Sequence, residues 1–219
     1  MTKPVLTIGD TGGLQATFLP GLGMVCGSLR FHGKELLELR GGPEAYAERR
    51  STFGIPLLYP WANRLGGWEY EVGGVRVRLD PESPYVHVDG ATGLPIHGLL
   101  AASPLWSVTR CERLELCAEL DFGAAPGLLV AFPFPHRLEL CASVAAARGA
   151  SVAAARLSIR LTLTPTSDAS VPVCFGFHPY LRVPDSDRRD WTVELPVRRR
   201  LLLDDRGIPT GGIQERAPG

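Results

Sequence analysis

The sequence predicts an all-β fold, an antiparallel β-sandwich, and two observations carry that expectation. Short runs alternate apolar and polar residues with period two, the pattern of a strand that buries one face. Nineteen prolines and 25 glycines punctuate the chain at short intervals. They leave little room for long helices and supply turn signals between the runs.

The elements follow in order. Residues 43–50 admit a turn or two of helix. Glu69-Tyr70-Glu71-Val72 and Val75-Arg76-Val77-Arg78-Leu79 flank Gly73-Gly74, which reads as a hairpin closed by a Gly-Gly turn. Residues 114–120, 137–140 and 157–163 alternate in the same way, and Trp191-Thr192-Val193-Glu194-Leu195 supplies another such run. Residues 143–148 and 151–156 both read Ser-Val-Ala-Ala-Ala-Arg on either side of Gly149-Ala150. Alanine favours helix and the central glycine a hairpin; the strand patterns on both flanks decide for the hairpin, a structural piece without chemistry.

At 219 residues the chain can bury a real core, as one large β domain or two smaller ones. Acidic and basic residues balance at 23 each, which argues against nucleic acid and anionic membrane partners. Charges or prolines interrupt every apolar run before it reaches membrane-spanning length. Met1-Thr2-Lys3-Pro4 lacks the apolar stretch of a signal peptide, so a cytoplasmic location is the default expectation. Five cysteines (Cys26, Cys111, Cys117, Cys141, Cys174) suit that location as free thiols, most of them in apolar strand-like sequence. None forms the Cys-x-x-Cys spacing of a zinc or redox site.

Chemistry concentrates in three segments. Phe175-Gly176-Phe177-His178-Pro179-Tyr180-Leu181 holds an imidazole between aromatics at the end of an apolar strand. Pro179 pushes His178 towards extended geometry. Two readings stand for this histidine: a positioned acid or base, or a core histidine satisfied by a backbone carbonyl. The second segment is Tyr59-Pro60-Trp61-Ala62-Asn63-Arg64-Leu65-Gly66-Gly67-Trp68, and the third is Pro95-Ile96-His97-Gly98-Leu99-Leu100. His32 in a hairpin-turn pattern, His87 on a half-exposed alternating segment and His136 at a strand start form no metal-like spacing and are set aside.

Taken together, these segments resemble the aldose 1-epimerase (mutarotase) family, in which an Asn-Arg with a Gly-rich turn, a His-Gly and a His-Pro-Tyr segment follow in this order. Leu203-Asp204-Asp205-Arg206-Gly207-Ile208-Pro209-Thr210-Gly211 looks like the family's Pro-Thr-Gly turn. The resemblance runs from about Gly21 to Gly211. It implies a galactose mutarotase-like supersandwich, a single domain over residues 1–219 that is C-terminally incomplete. It also implies an isomerase that opens a cyclic hemiacetal by acid and base transfer and recloses it on the other face. The substrate is then an aldohexose such as galactose or glucose, and no metal or cofactor is required.

By the same resemblance His178 is the general acid on the ring oxygen, and His97 is a second histidine beside that oxygen. Gly98 would let the chain approach a ligand closely. Arg64 would offer several fixed donors to sugar hydroxyls. Asn63 would bond substrate, although an asparagine before a turn also serves local backbone bonding. Trp61, Phe177 and Tyr180 suit either a pyranose face or the core. The family's base, a glutamate, and a substrate-binding aspartate follow the Pro-Thr-Gly turn, whereas this chain ends eight residues after Gly211. Glu215, in a polar terminal tail expected to be mobile, is not assigned as the base. The expectation is a truncated epimerase whose open edges and apolar surface favour self-association. The competing readings are a carbohydrate-binding sandwich without catalysis and a purely structural protein. A hexose-6-phosphate variant draws only on Arg198-Arg199-Arg200, whose side chains alternate between two faces of a strand.

Overall fold

The computed structural model describes residues 4–49, 53–145, 154–194 and 196–215. In chain order the elements begin with β1 (Leu6–Gly9), β2 (Leu14–Leu19), β3 (Val25–Phe31), β4 (Lys34–Glu35), α1 (Gly42–Arg49) and β5 (Leu57–Leu58). Next come β6 (Glu69–Val72), β7 (Val75–Arg78), β8 (Ser107–Cys111), β9 (Glu115–Asp121), α2 (Pro126–Ala131) and β10 (His136–Ala145). The last are β11 (Arg156–Pro165), β12 (Gly176–Phe177), β13 (Arg199–Leu203) and β14 (Pro209–Glu215). Two four-stranded antiparallel sheets, ordered β1-β2-β3-β4 and β11-β10-β9-β8, form the body.

Period two decides which side chains meet between the sheets. On β2, Leu14, Ala16 and Phe18 are buried while their neighbours are half-open. On β9 and β10, Leu116, Ala118, Leu120, Leu138, Leu140, Ala142 and Val144 face inward, and all join one cluster with Ile8, Tyr59 and Phe122. β1 and β2 pack on the second sheet through this cluster. Each fully buried Leu or Phe contributes about 1.5–3 kcal/mol by leaving water.

The hairpin at Gly73-Gly74 forms with both glycines at positive φ, and α1 covers most of the helical segment read from sequence. The tip of the Ser-Val-Ala-Ala-Ala-Arg hairpin lies outside the described residues, yet its flanks pair as expected, with Ala145 opposite Arg156.

Four expectations need correction. Trp191, Thr192, Val193 and Glu194 form no strand; Leu195 lies outside the described residues. A short 3-10 turn capped by Asp187 precedes them, and Val193 stays 73% exposed. An alternating pattern becomes a strand only where a partner accepts its backbone bonds. The Pro209-Thr210-Gly211 segment lies on β14, and the turn itself falls at residues 204–207, where Gly207 N–H donates to the Asp204 carbonyl. Residues 212–215 continue β14 against β13 and so are no loose tail. Finally, Cys117 and Cys141 form a disulfide across β9 and β10. Their register places them directly opposite, a proximity that their separation of 24 residues conceals. Large apolar side chains stay open towards the end of the chain, among them Val173, Leu181, Leu201 and Ile213.

Candidate active site

Three stretches of backbone are stitched side by side at one end of the sandwich. Residues 176–182 run along 54–58: β12 pairs with β5, His178 N–H donates to the Pro56 carbonyl (3.2 Å), and Tyr180 N–H donates to Gly54 (2.9 Å). Residues 95–99 run along 59–65: Leu99 N–H donates to Tyr59 (2.7 Å), His97 N–H to Asn63 (3.2 Å), and Leu65 N–H to Pro95 (2.9 Å). A third stretch, 87–94, folds back on residues 95–96, with Ile96 N–H donating to His87 (2.9 Å). These bonds satisfy backbone that would otherwise be buried unpaired, and they fix where the side chains emerge.

The result is an open cleft of about 640 Å³ lined by Ala62, Asn63, Arg64, His87, Asp89, His97, His178 and Tyr180, among others. The four residues singled out from sequence, Asn63, Arg64, His97 and His178, therefore meet in one place. His178 is exposed to the cleft, stacked on the Tyr180 ring (4.9 Å between centroids) and edge-on to His97 (5.7 Å). Its reading as a satisfied core histidine falls away. That description belongs to His136, which is fully buried, with Nδ1 against the Phe134 carbonyl (2.6 Å) and Nε2 against the Tyr59 hydroxyl (2.8 Å).

His97 has φ +65°, held there by its backbone bond to Asn63 and by Gly98 beside it. Gly98, at φ +74°, lies so close to Tyr59 that an added Cβ would sit 2.1 Å from the Tyr59 carbonyl oxygen. The close approach that glycine permits is thus to the chain's own backbone, whereas a ligand was expected. Burial, reinforced by the charges of His178, His87 and Arg64, lowers the His97 pKa to about 4. His97 is neutral near pH 7 and offers one N–H donor and one acceptor.

Arg64 is half-buried and donates from Nε to Asp89 Oδ2 at 2.8 Å. Asp89 also accepts from the Thr92 hydroxyl (2.6 Å) and the Ala91 N–H (3.3 Å). Hydrogen bonds from Thr92 and Arg64 hold its carboxyl well below the usual carboxylate range. This pair anchors the guanidinium, and its Nη1 lies beside Gly207 of the β13–β14 turn. Asn63 is exposed at the rim. Trp61 and Phe177 pack with the core, whereas Tyr180 lines the cleft.

Sequence reasoning missed His87 and Asp89. His87 stacks on His97 with centroids 6.2 Å apart. No spacing marks either residue; Asp89-Gly90 carries only a turn signal, and both reach the cleft because their loop folds back on 95–96.

The profile of the aldose 1-epimerase family matches residues 4–218. Among solved structures, a galactose mutarotase-like protein from Clostridium acetobutylicum superposes with TM-score 0.75 at 19% identity, over 94% of this chain and 60% of that one. A GalM/aldose epimerase homologue from C. elegans gives 0.69 at 19% identity, over 98% of this chain and 62% of that one. A galactose mutarotase-like protein from Lactobacillus casei gives 0.69 at 16% identity, over 97% and 64%. The chain thus spans less than two thirds of the length of these structures. No curated protein matches the sequence.

Proposed function

Because this chain belongs to the aldose 1-epimerase family, we propose that its cleft binds an aldohexose such as galactose or glucose and interconverts the α and β anomers. The observation that carries this reading is the meeting of His97, His178 and Arg64 around one open cleft. As the ring opens, a base takes the proton of the anomeric hydroxyl, the C1 carbonyl forms as the bond from C1 to the ring oxygen breaks, and His178 donates a proton to that oxygen. His97, kept neutral by burial, hydrogen-bonds the same region without adding a charge. Arg64, braced by Asp89, presents donors to the hydroxyls, with Asn63 at the rim. The Tyr180 face backs the His178 ring and restricts its orientation. After rotation about the adjacent carbon–carbon bond, acid and base exchange roles for closure. The chemistry is proton transfer plus positioning.

A second reading, sugar binding without catalysis, is favoured by one observation. Among the described residues, Asp89 is the one carboxylate lining the cleft, and its low proton affinity makes it a poor base. Glu215 is exposed and paired with Arg199 on the β13–β14 ribbon. Polarimetry of freshly dissolved α-D-glucose and α-D-galactose separates the readings. Acceleration that His178→Asn loses, by about 10²-fold or more for a general acid, supports the isomerase. Sugar-dependent thermal stabilisation with no acceleration supports the binding module.

A further inference from the structure

The second sheet carries a polar pocket of about 370 Å³ that shares no lining residue with the histidine cleft. Strand register sets its chemistry. On β9 and β10, Cys117 faces Cys141 and, two residues along, Glu119 faces Glu139. Arg110 pairs with Cys117 from β8, and Arg160 pairs with Cys141 from β11. These side chains alternate with Leu116, Ala118, Leu140 and Ala142, so they lie on the face turned away from the core. Both cysteines are nevertheless buried, at 5% and 7% exposure. The two sulfurs and a Glu139 carboxylate oxygen all lie within 4.8 Å of one another.

We propose that this pocket, once reduced, binds a thiophilic divalent cation such as zinc through Cys117, Cys141 and Glu139. Two thiolates and a carboxylate form the borderline-soft donor set that suits such an ion. Adjacent strands hold the donors close together before any ion arrives. Glu115 already engages Arg110 at 2.6 Å, so Glu119 and Glu139 outweigh Arg160 and leave the reduced pocket anionic even with both thiols protonated. The donors come from two strands 24 residues apart, which is why no Cys-x-x-Cys spacing announces them.

The disulfide and the metal exclude one another, because each occupies both sulfurs. An external dithiol delivers two electrons and two protons to the Sγ–Sγ bond and becomes a disulfide itself, leaving two thiols here. The cation then displaces both thiol protons to solvent as it binds.

The test uses the full 219-residue chain in a Cys111→Ser/Cys174→Ser background, which removes the two exposed free thiols. Cys26 stays silent, since burial pushes its pKa up to about 12. After anaerobic reduction by a dithiol and desalting, Cd²⁺ is titrated while the thiolate-to-metal absorption is followed, and Zn²⁺ is then added as competitor. The expected result is one equivalent per reduced chain, displaced by Zn²⁺, and none in the oxidised chain. Glu139→Gln, which spares both thiols, weakens binding about tenfold or more, at least the cost of losing an outer-shell partner. Cys117→Ser/Cys141→Ser abolishes the absorption. Silence from the reduced background chain overturns the proposal. So does equal binding by the oxidised chain, absorption that survives the double serine variant, or an unchanged affinity in Glu139→Gln.

Discussion

Tyr59→Phe probes how the core is tied to the cleft. Tyr59 and His136 are both fully buried, and the Tyr59 hydroxyl lies 2.8 Å from His136 Nε2. His136 Nδ1 faces a carbonyl that can only accept, so Nδ1 carries the proton and Nε2 accepts from Tyr59. Burial lowers the His136 pKa, which keeps the ring neutral in this arrangement. Deleting the hydroxyl strands a buried acceptor, at a cost of about 1–3 kcal/mol. For a chain of this size each kcal/mol moves Tm by roughly 2–4 °C, so Tm should fall by about 4–8 °C for a mid-range loss. The phenyl ring keeps its edge contacts with Phe122 and Phe132, and no cavity adds to the loss. The Tyr59 backbone still accepts from Leu99, so any sugar-induced Tm shift should survive. Calorimetry of Tyr59→Phe, His136→Leu and the double variant should show coupling of about 0.5–3 kcal/mol. A Tyr59→Phe Tm within about 1 °C of the parent, or strictly additive losses, would refute the assignment of this bond.

Two further outcomes follow from the cleft. His97 in the fold has a pKa near 4, against an ordinary value of about 6.5. The unfolded chain therefore takes up a proton first as pH falls, and stability should decline between about pH 6.5 and 4. Discounted for partial exposure, this amounts to about 1–2 kcal/mol. His97→Asn, a residue that accepts positive φ, should flatten that part of the stability profile in urea titrations; an unchanged slope contradicts the assignment. Gly98→Ala places a Cβ 2.1 Å from the Tyr59 carbonyl oxygen at φ +74°, and neither backbone group can rotate away. It should cost about 2–3 kcal/mol or more in a denaturant titration; wild-type stability would show that the 59–98 bridge yields.

Much of the architecture was legible because it rests on local periodicity and turn chemistry. Alternation at 114–120 and 157–163 became β9 and β11, and Gly73-Gly74 became the turn between β6 and β7. The run at 191–194 alternates too, yet makes no strand. Its pattern says which face would be buried, and nothing about whether a partner exists. His178 and His136 illustrate the same gap for the site. Both follow aromatic and proline-containing sequence, yet one opens on the cleft and the other is sealed beneath it. Sequence drew attention to the one in the cleft through its companions Arg64 and His97, since the individual ring carries no label.

Asp89, His87 and the Cys117–Cys141 pair mark the other side of the line. Local order along the chain determined the strand content, the turns and the three segments that supply Arg64, His97 and His178. The folding-back of residues 87–94, the register of β9 on β10 and the seat of Gly98 against Tyr59 are long-range contacts. They are settled by which backbone donors find which acceptors across the folded molecule, so only the tertiary structure decided that Asp89 braces Arg64 and that Cys117 meets Cys141.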